Sequence, residues 1–174
     1  MNDPRFPDGW RLERLAKGHP RKAFDCREQA VNDWLTARAL QHQDKRLSVT
    51  KVLLDGDDAV AGFYTLATGQ VDFGDLPAAE TKKLPKRFLP VAVLAWLGVS
   101  YAHQGQGLGQ RLLAQSLRDC HDAGRTFAFV AVVLDCLTDV AKAFYQRFDF
   151  EEMPGHPYRL FLSARKLDAV MTGE

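Results

Sequence analysis

The apolar positions of this chain change period several times, and each change marks a new element. Residues 10–15 (Trp-Arg-Leu-Glu-Arg-Leu) alternate weakly, which predicts a short first strand before the break at Pro20. From Cys26 to about Gln43, the residues Ala30, Val31, Trp34, Leu35, Ala39 and Leu40 recur at helical spacing, with room for two helices. Two runs rich in β-branched residues, 47–54 and 59–67, flank Asp55-Gly56-Asp57-Asp58, a hairpin signal. Between 68 and 90, Gly69, Gly74, Pro77, Pro85 and Pro90 break any period, and the stretch reads as a long loop.

The second half is patterned more sharply. Val91 to Val99 (V-A-V-L-A-W-L-G-V) is a continuous apolar run of strand length, which predicts burial on both sheet faces. After the polar segment 100–107, Leu108, Leu112, Leu113, Leu117 and Cys120 mark one face of a helix ending near Gly124. Phe127 to Leu134 reads as a second buried strand. Val140, Ala141, Phe144, Tyr145 and Phe148 give a further helix, and Tyr158 to Ser163 a last strand. Strand, helix, strand, helix in that order predicts a parallel central pair with a right-handed crossover. The earlier hairpin adds antiparallel strands, so the expected class is α/β with a mixed sheet.

Length and composition narrow the setting. The 174 residues suit one compact domain, 1–174, and 46% apolar residues are enough to build its core. No apolar run is long enough for a membrane span, and Met1-Asn-Asp-Pro lacks the layout of a secretory leader. A cytoplasmic protein with no membrane partner is expected. Cys26, Cys120 and Cys136 form no C-x-x-C pair and read as small buried hydrophobes. The five histidines show no metal-binding spacing, so no metal is expected.

The net charge of +1 hides local imbalance: residues 1–51 carry 11 basic and 7 acidic residues, a surplus of four. In residues 52–90 every basic residue falls in Lys82-Lys83-Leu84-Pro85-Lys86-Arg87. Such a run is either a solvated loop or a rim that attracts an anionic substrate.

The most informative segment is Gln104-Gly105-Gln106-Gly107-Leu108-Gly109-Gln110, which follows a predicted strand and opens a predicted helix. Glycines there let the backbone turn tightly and leave N–H donors at the positive end of the helix dipole, an arrangement suited to pyrophosphate. The dinucleotide pattern G-x-G-x-x-G fails at Gln110, and a P-loop fails because neither Lys nor Ser/Thr follows Gly109. On the motif alone, a glycine-rich helix start without a ligand stays open.

The spacing Gln104-x-x-Gly107-x-Gly109 matches Q/R-x-x-G-x-G, and the chain resembles the GNAT acetyltransferase superfamily over nearly its whole length. Ala141-x-x-Phe144-Tyr145-x-x-Phe148-Asp149-Phe150 is similar to that family's A-x-x-F-Y-x-x-x-G-F block. Phe24-Asp25-Cys26 with Trp34-Leu35, Gly62-Phe63-Tyr64-Thr65-Leu66 and the stretch from Pro90 to Gly109 resemble the acetyltransferase toxins paired with ribbon-helix-helix antitoxins. Ala95-Trp96 stands where those toxins commonly carry Gly-Arg, Thr138 where many members have Asn, and Asp149 where Gly is usual.

The resemblance implies a GNAT fold, a central mixed sheet with a splayed parallel pair flanked by helices. It also implies acetyl-CoA as cosubstrate, bound through residues 104–110, the backbone of Leu97, Gly98 and Val99, and Thr138. On spacing alone Tyr145 is a core aromatic; the family block makes it the general acid that protonates the departing thiolate. No base is named with equal support, Asp135 being one candidate. An α-amine, with a pKa of about 7.7–8.0, already has a neutral fraction at pH 7 and needs no strong base. The toxin resemblance further implies aminoacyl-tRNA as acceptor, an antitoxin partner and a homodimer. Arg38, Lys45, Arg46, Lys82, Lys83, Lys86 and Arg87 are then candidates for phosphate contacts. The alternative acceptor is the amine of a metabolite, peptide or protein.

Overall fold

The computed structural model describes residues 4–173, so the chain start read above as unlike a leader lies outside the described residues. Its elements are β1 (Arg11–Arg14), α1 (Gln29–Asp33), α2 (Ala39–Asp44), β2 (Val49–Leu54), β3 (Val60–Val71), α3 (Ala78–Thr81), β4 (Leu89–Val99), α4 (Leu108–Gly124), β5 (Ala131–Asp135), α5 (Asp139–Gln146), β6 (Glu151–Met153), β7 (His156–Ser163) and α6 (Ala164–Thr172). The seven strands form one sheet in the order β1-β2-β3-β4-β5-β7-β6. Pairs β1–β2, β2–β3, β5–β7 and β6–β7 are antiparallel and β4–β5 is parallel. A mixed sheet that includes a parallel pair is therefore as expected from the strand–helix order.

By its internal contacts the chain divides into two compact units, residues 4–67 with 94–117, and residues 68–93 with 118–173. In the first, the hairpin predicted at residues 55–58 closes β2 on β3. Asp55 accepts the backbone N–H groups of Asp57 (2.9 Å) and Ala59 (3.0 Å), and Asp58 takes up φ 62°. The core of this unit gathers Leu15, Phe24, Val31, Trp34, Leu35 and Phe63. Val31, Leu35, Ala39 and Gln43 are buried at a spacing of four. An α-helix gains about 40° per four residues, so such a stripe drifts off its face. The wider π-helical turn at Trp34–Arg38, between α1 and α2, takes up that drift. Ala30, expected on the stripe, is exposed instead.

The core of the second unit is built from Val71, Leu89, Val91, Ala131, Val133 and Phe161. Here the structure corrects three expectations. Residues 68–90 are not a continuous loop: β3 runs on to Val71, a 3-10 turn covers Phe73–Asp75, and α3 follows. Residues 68–70 are exposed, so no apolar alternation marks them as strand. Strand β5 begins only at Ala131, and Phe127 is 76% exposed ahead of it. Val140 faces solvent at 82% exposure, so the buried stripe of α5 is narrower than its apolar residues suggest. Helix α6 and the short β6 escape the sequence reading.

Candidate active site

The glycine-rich turn lies in the first unit, between β4 and α4. A 3-10 turn at Tyr101–His103 leads into it, and Arg111 N–H donates to the Gly107 carbonyl (3.2 Å) as α4 begins. Gly105 and Gly107 stand at φ +75° and +79°, the left-handed region that side chains rarely adopt, with open space where a Cβ would project. Gln106 is exposed and Gln110, in the first turn of α4 with Gly109, is exposed as well, while Leu108 is buried. Side chains anchor the turn through Leu108, and its glycine backbone is left facing open space. That is the condition for backbone N–H groups to reach an anion.

Gln104 has a different task from its neighbours. Its Nε2 donates to the carbonyls of Cys26 and Val99, both at 3.0 Å, so the side chain ties down the turn. On the preceding 3-10 turn, His103 Nε2 lies 3.2 Å from Asp55 Oδ2, with Trp10 edge-on to the imidazole at 5.0 Å. Partial burial alone would raise the Asp55 carboxyl; the N–H groups of Ala59 and Asp57, with His103, outweigh it and hold the pKa below the usual carboxylate value.

Strand β4 feeds this turn and departs from the expected burial. Its parallel ladder joins Val91, Ala92 and Val93 to Ala131, Val132 and Val133, and β4 runs on to Val99 beyond it. Ala95, Trp96, Leu97 and Val99 are only half-buried in spite of their apolar character. An apolar strand outside its parallel ladder and partly open suits an extended, amide-bearing ligand. Gly98 is required on packing grounds of its own: a Cβ there would stand 2.8 Å from Val31 Cγ1 and 3.0 Å from Phe63 Cε1. Trp96 stacks on Trp34 at 5.2 Å and an angle of 12°, so the half-buried tryptophan at that place packs against the core.

The other candidate residues belong to the second unit. Thr138 caps α5, its Oγ1 accepting the Ala141 N–H (3.1 Å) while the hydroxyl proton is left to donate. Three turns of chain on, Phe148 N–H bonds the Tyr145 carbonyl, and Asp149 at φ 67° ends the helix in the left-handed conformation that glycine would take. Tyr145 is buried, with Phe144 and Phe150 edge-on at 5.1 and 5.8 Å. Among the described residues its hydroxyl has no hydrogen-bond partner. Burial, and to a lesser degree the Cys136 sulfur, pushes its pKa well above the ordinary tyrosine value, so it stays a proton donor.

Asp135, the candidate base, is engaged elsewhere. Arg159 donates to it through Nε at 2.8 Å and a second nitrogen at 3.5 Å. The carboxylate is therefore an exposed ion-pair partner of β7. Cys26, Cys120 and Cys136 are buried, and burial raises all three thiols, Cys120 to about 12. They are packing residues, not nucleophiles.

The acetyltransferase (GNAT) domain model matches residues 52–152, more than half of the chain. The chain belongs to the GNAT acetyltransferase family. As a member of it, the protein is an N-acetyltransferase whose acetyl donor is acetyl-CoA. Within the family it is close to a tRNA-acetylating toxin of Mycobacterium tuberculosis, 33% identical over 158 residues, covering 91% of this chain and 94% of the relative. A probable toxin TacT of Sinorhizobium fredii is 27% identical over 163 residues, 88% of this chain and 90% of the relative. Among solved structures, a tyrosine-to-phenylalanine variant of KacT superposes with a TM-score of 0.87 at 26% identity, over 93% of this chain and 99% of that one. AtaT in complex with acetyl-methionyl-tRNAfMet shares the fold, with a TM-score of 0.86 at 23% identity over 93% and 99% of the two chains. Among the described residues no helix is long and apolar enough to cross a membrane.

Sequence reasoning singled out the glycine turn, the end of β4 and the tyrosine helix as candidates. It assigned no role at the site to Tyr101 and His103 beside the turn, nor to Asp25, Asn32 and Asp55, whose contacts with that segment come from far along the chain; His103 and Asp55 are 48 residues apart. Their signal is positional in space only, since no local pattern links them.

Proposed function

We propose that this GNAT enzyme acetylates the α-amine of aminoacyl-tRNA and so blocks translation. The observation that carries this reading is the similarity, over nine-tenths of the chain, to a relative named a tRNA-acetylating toxin. Exposed cations in each unit, Arg38, Lys45 and Arg46 in one and Lys82, Lys83, Lys86 and Arg87 in the other, supply charge for phosphate contacts. AtaT is solved with an antitoxin, AtaR, and with acetyl-CoA; by analogy a ribbon-helix-helix antitoxin holds this chain silent in the cytoplasm. We also assign to the 174 residues a single acetyltransferase module that works as a homodimer.

The residues divide the work as follows. Backbone N–H groups of Gly105 to Gln110 at the start of α4 hold the pyrophosphate of acetyl-CoA, and Gln104 keeps that turn in shape. Backbone groups of Leu97, Gly98 and Val99 align the pantetheine arm, one N–H polarising the thioester carbonyl. Thr138 offers its hydroxyl proton to the cosubstrate. The acceptor amine forms the new C–N bond as the C–S bond breaks. Tyr145 gives its phenolic proton to the sulfur, whose thiol has an ordinary pKa near ~8.5, and recovers a proton from the acetylated nitrogen. Because Asp135 is engaged by Arg159, the amine must enter neutral on its own, which favours an α-amine over a lysine side chain.

One observation favours the second reading, a small amine as acceptor. Trp96 stacks against the core on Trp34 where the toxins commonly carry arginine, so no cation stands at that place. The expected result is that the purified protein stops cell-free translation only when acetyl-CoA is added. Translation that continues unchanged while small amines are acetylated would favour the metabolite reading.

A further inference from the structure

The Phe24-Asp25-Cys26 signature has no part in the chemistry above, yet the structure ties it to the glycine turn. Phe24 and Cys26 are buried and Asp25 is exposed. Asp25 Oδ1 accepts two donors, the Arg27 N–H (2.8 Å) and Asn32 Nδ2 (3.0 Å). Asn32 Oδ1 in turn accepts the Cys26 N–H (2.9 Å). The carboxamide and the carboxylate together bend the chain back on itself and hold Arg27 at φ 69°. A non-glycine residue at positive φ persists where its surroundings over-determine it. The same two N–H bonds draw the Asp25 carboxyl below its ordinary pKa, the bond from Arg27 contributing most.

The turn so fixed presents two carbonyls to the segment that precedes the glycines. Tyr101 N–H donates to the Asp25 carbonyl (2.8 Å), and Gln104 Nε2 donates to that of Cys26 (3.0 Å). The Arg27 guanidinium lies over the Tyr101 ring, 4.3 Å from its centre. Every one of these contacts lies within one compact unit. Beyond Gln104 the backbone passes through Gly105 and Gly107, which lose the most conformational freedom when ordered. A binding turn of that composition binds well only if its start is held in place beforehand.

We propose that Asp25 and Asn32 are positioning residues: the turn they close sets the affinity of the glycine loop for acetyl-CoA without touching it. The inference rests on the reading of residues 104–110 as the pyrophosphate site. Asp25→Ala removes the acceptor for both donors and is expected to raise the KM for acetyl-CoA about tenfold, the scale of one or two lost hydrogen bonds. The kcat at saturating acetyl-CoA and the KM for the acceptor stay within about twofold of the wild type. Asp25→Asn keeps an oxygen for both N–H groups and restores the KM. Asn32→Ala breaks the same turn from its other end, moves the KM in the same direction, and serves should Asp25→Ala fail to fold.

Calorimetric titration of coenzyme A into the wild type, Asp25→Ala, Asn32→Ala and Gly107→Ala separates the two levels of the account. Gly107→Ala strains the loop itself at φ +79° and weakens binding directly. A wild type that binds no coenzyme A overturns the reading of the loop and this inference with it. If the wild type binds, Gly107→Ala weakens binding and the two turn variants bind like wild type, the positioning role alone is overturned. A fall in kcat with KM unmoved, or an Asp25→Asn as weak as Asp25→Ala, also contradicts it.

Discussion

Tyr145→Phe is expected to lower kcat for acetyl transfer tenfold or more, while the Kd for acetyl-CoA stays within about twofold. A tenfold loss corresponds to about 1.4 kcal/mol of transition-state stabilisation, and positioned proton donors commonly contribute about 10²-fold or more. The substitution removes one oxygen and leaves the ring between Phe144 and Phe150, so packing changes little. The hydroxyl has no partner among the described residues, and Phe therefore strands no donor or acceptor of the protein. The sign of the pKa shift gives a second readout. Burial raises the phenol above its ordinary value, so the acid form persists to higher pH than in a free tyrosine. No alkaline fall in kcat due to this group is expected at or below pH ~10. A variant with unchanged kcat would make Tyr145 a core ring like Phe150.

Trp34→Ala is expected to cost about 3–5 kcal/mol of stability, a fall in Tm on the order of 10 °C for a chain of this size. Trp34 is buried at the π-helical turn, stacked on Trp96, with His42 edge-on at 4.7 Å. Its Nε1–H donates to Thr65 Oγ1 (2.9 Å), and Thr65 shares a hydrogen bond of 2.7 Å with Thr50. Gln43 extends the chain of bonds, accepting the Thr50 N–H (3.0 Å) and donating to the Leu15 carbonyl (2.8 Å). Removing the indole opens a cavity and weakens a buried network at its end, so the two losses add. Trp34→Phe keeps an aromatic stack and loses the N–H, and a smaller loss follows. Urea unfolding followed by circular dichroism measures both. A loss below about 1 kcal/mol for Trp34→Ala would mean that neither the stack nor the network supports this unit.

What could be read in the sequence was set by how local its physical signal is. The glycines at 105 and 107 announce left-handed backbone by their chemistry alone, and both have positive φ. Asp149, in the place of a family glycine, also has positive φ, so the backbone demand outlasts the change of residue. Helix α4 was legible from its four leucines, Leu108, Leu112, Leu113 and Leu117, all of them buried. Residues 68–70 were not, because a strand with solvated side chains carries no alternation. Nor was the half-open end of β4 legible: Leu97 and Val99 are as apolar as Val91 and Leu94, yet only the latter two are buried. Gly98 was read as a place for close approach by a ligand. The structure gives it a closer neighbour in Val31, a contact between distant segments that no local pattern encodes.

The proposed reaction passes acetyl from acetyl-CoA to the α-amine of an aminoacyl-tRNA. The direct measurement incubates the protein with labelled acetyl-CoA and a mixture of charged and uncharged tRNA, then releases and identifies the labelled aminoacyl-adenosine. The account predicts label on the α-nitrogen of charged tRNA, none on uncharged tRNA, and loss of the signal with Tyr145→Phe. Unlabelled charged tRNA beside efficient acetylation of small amines would contradict it.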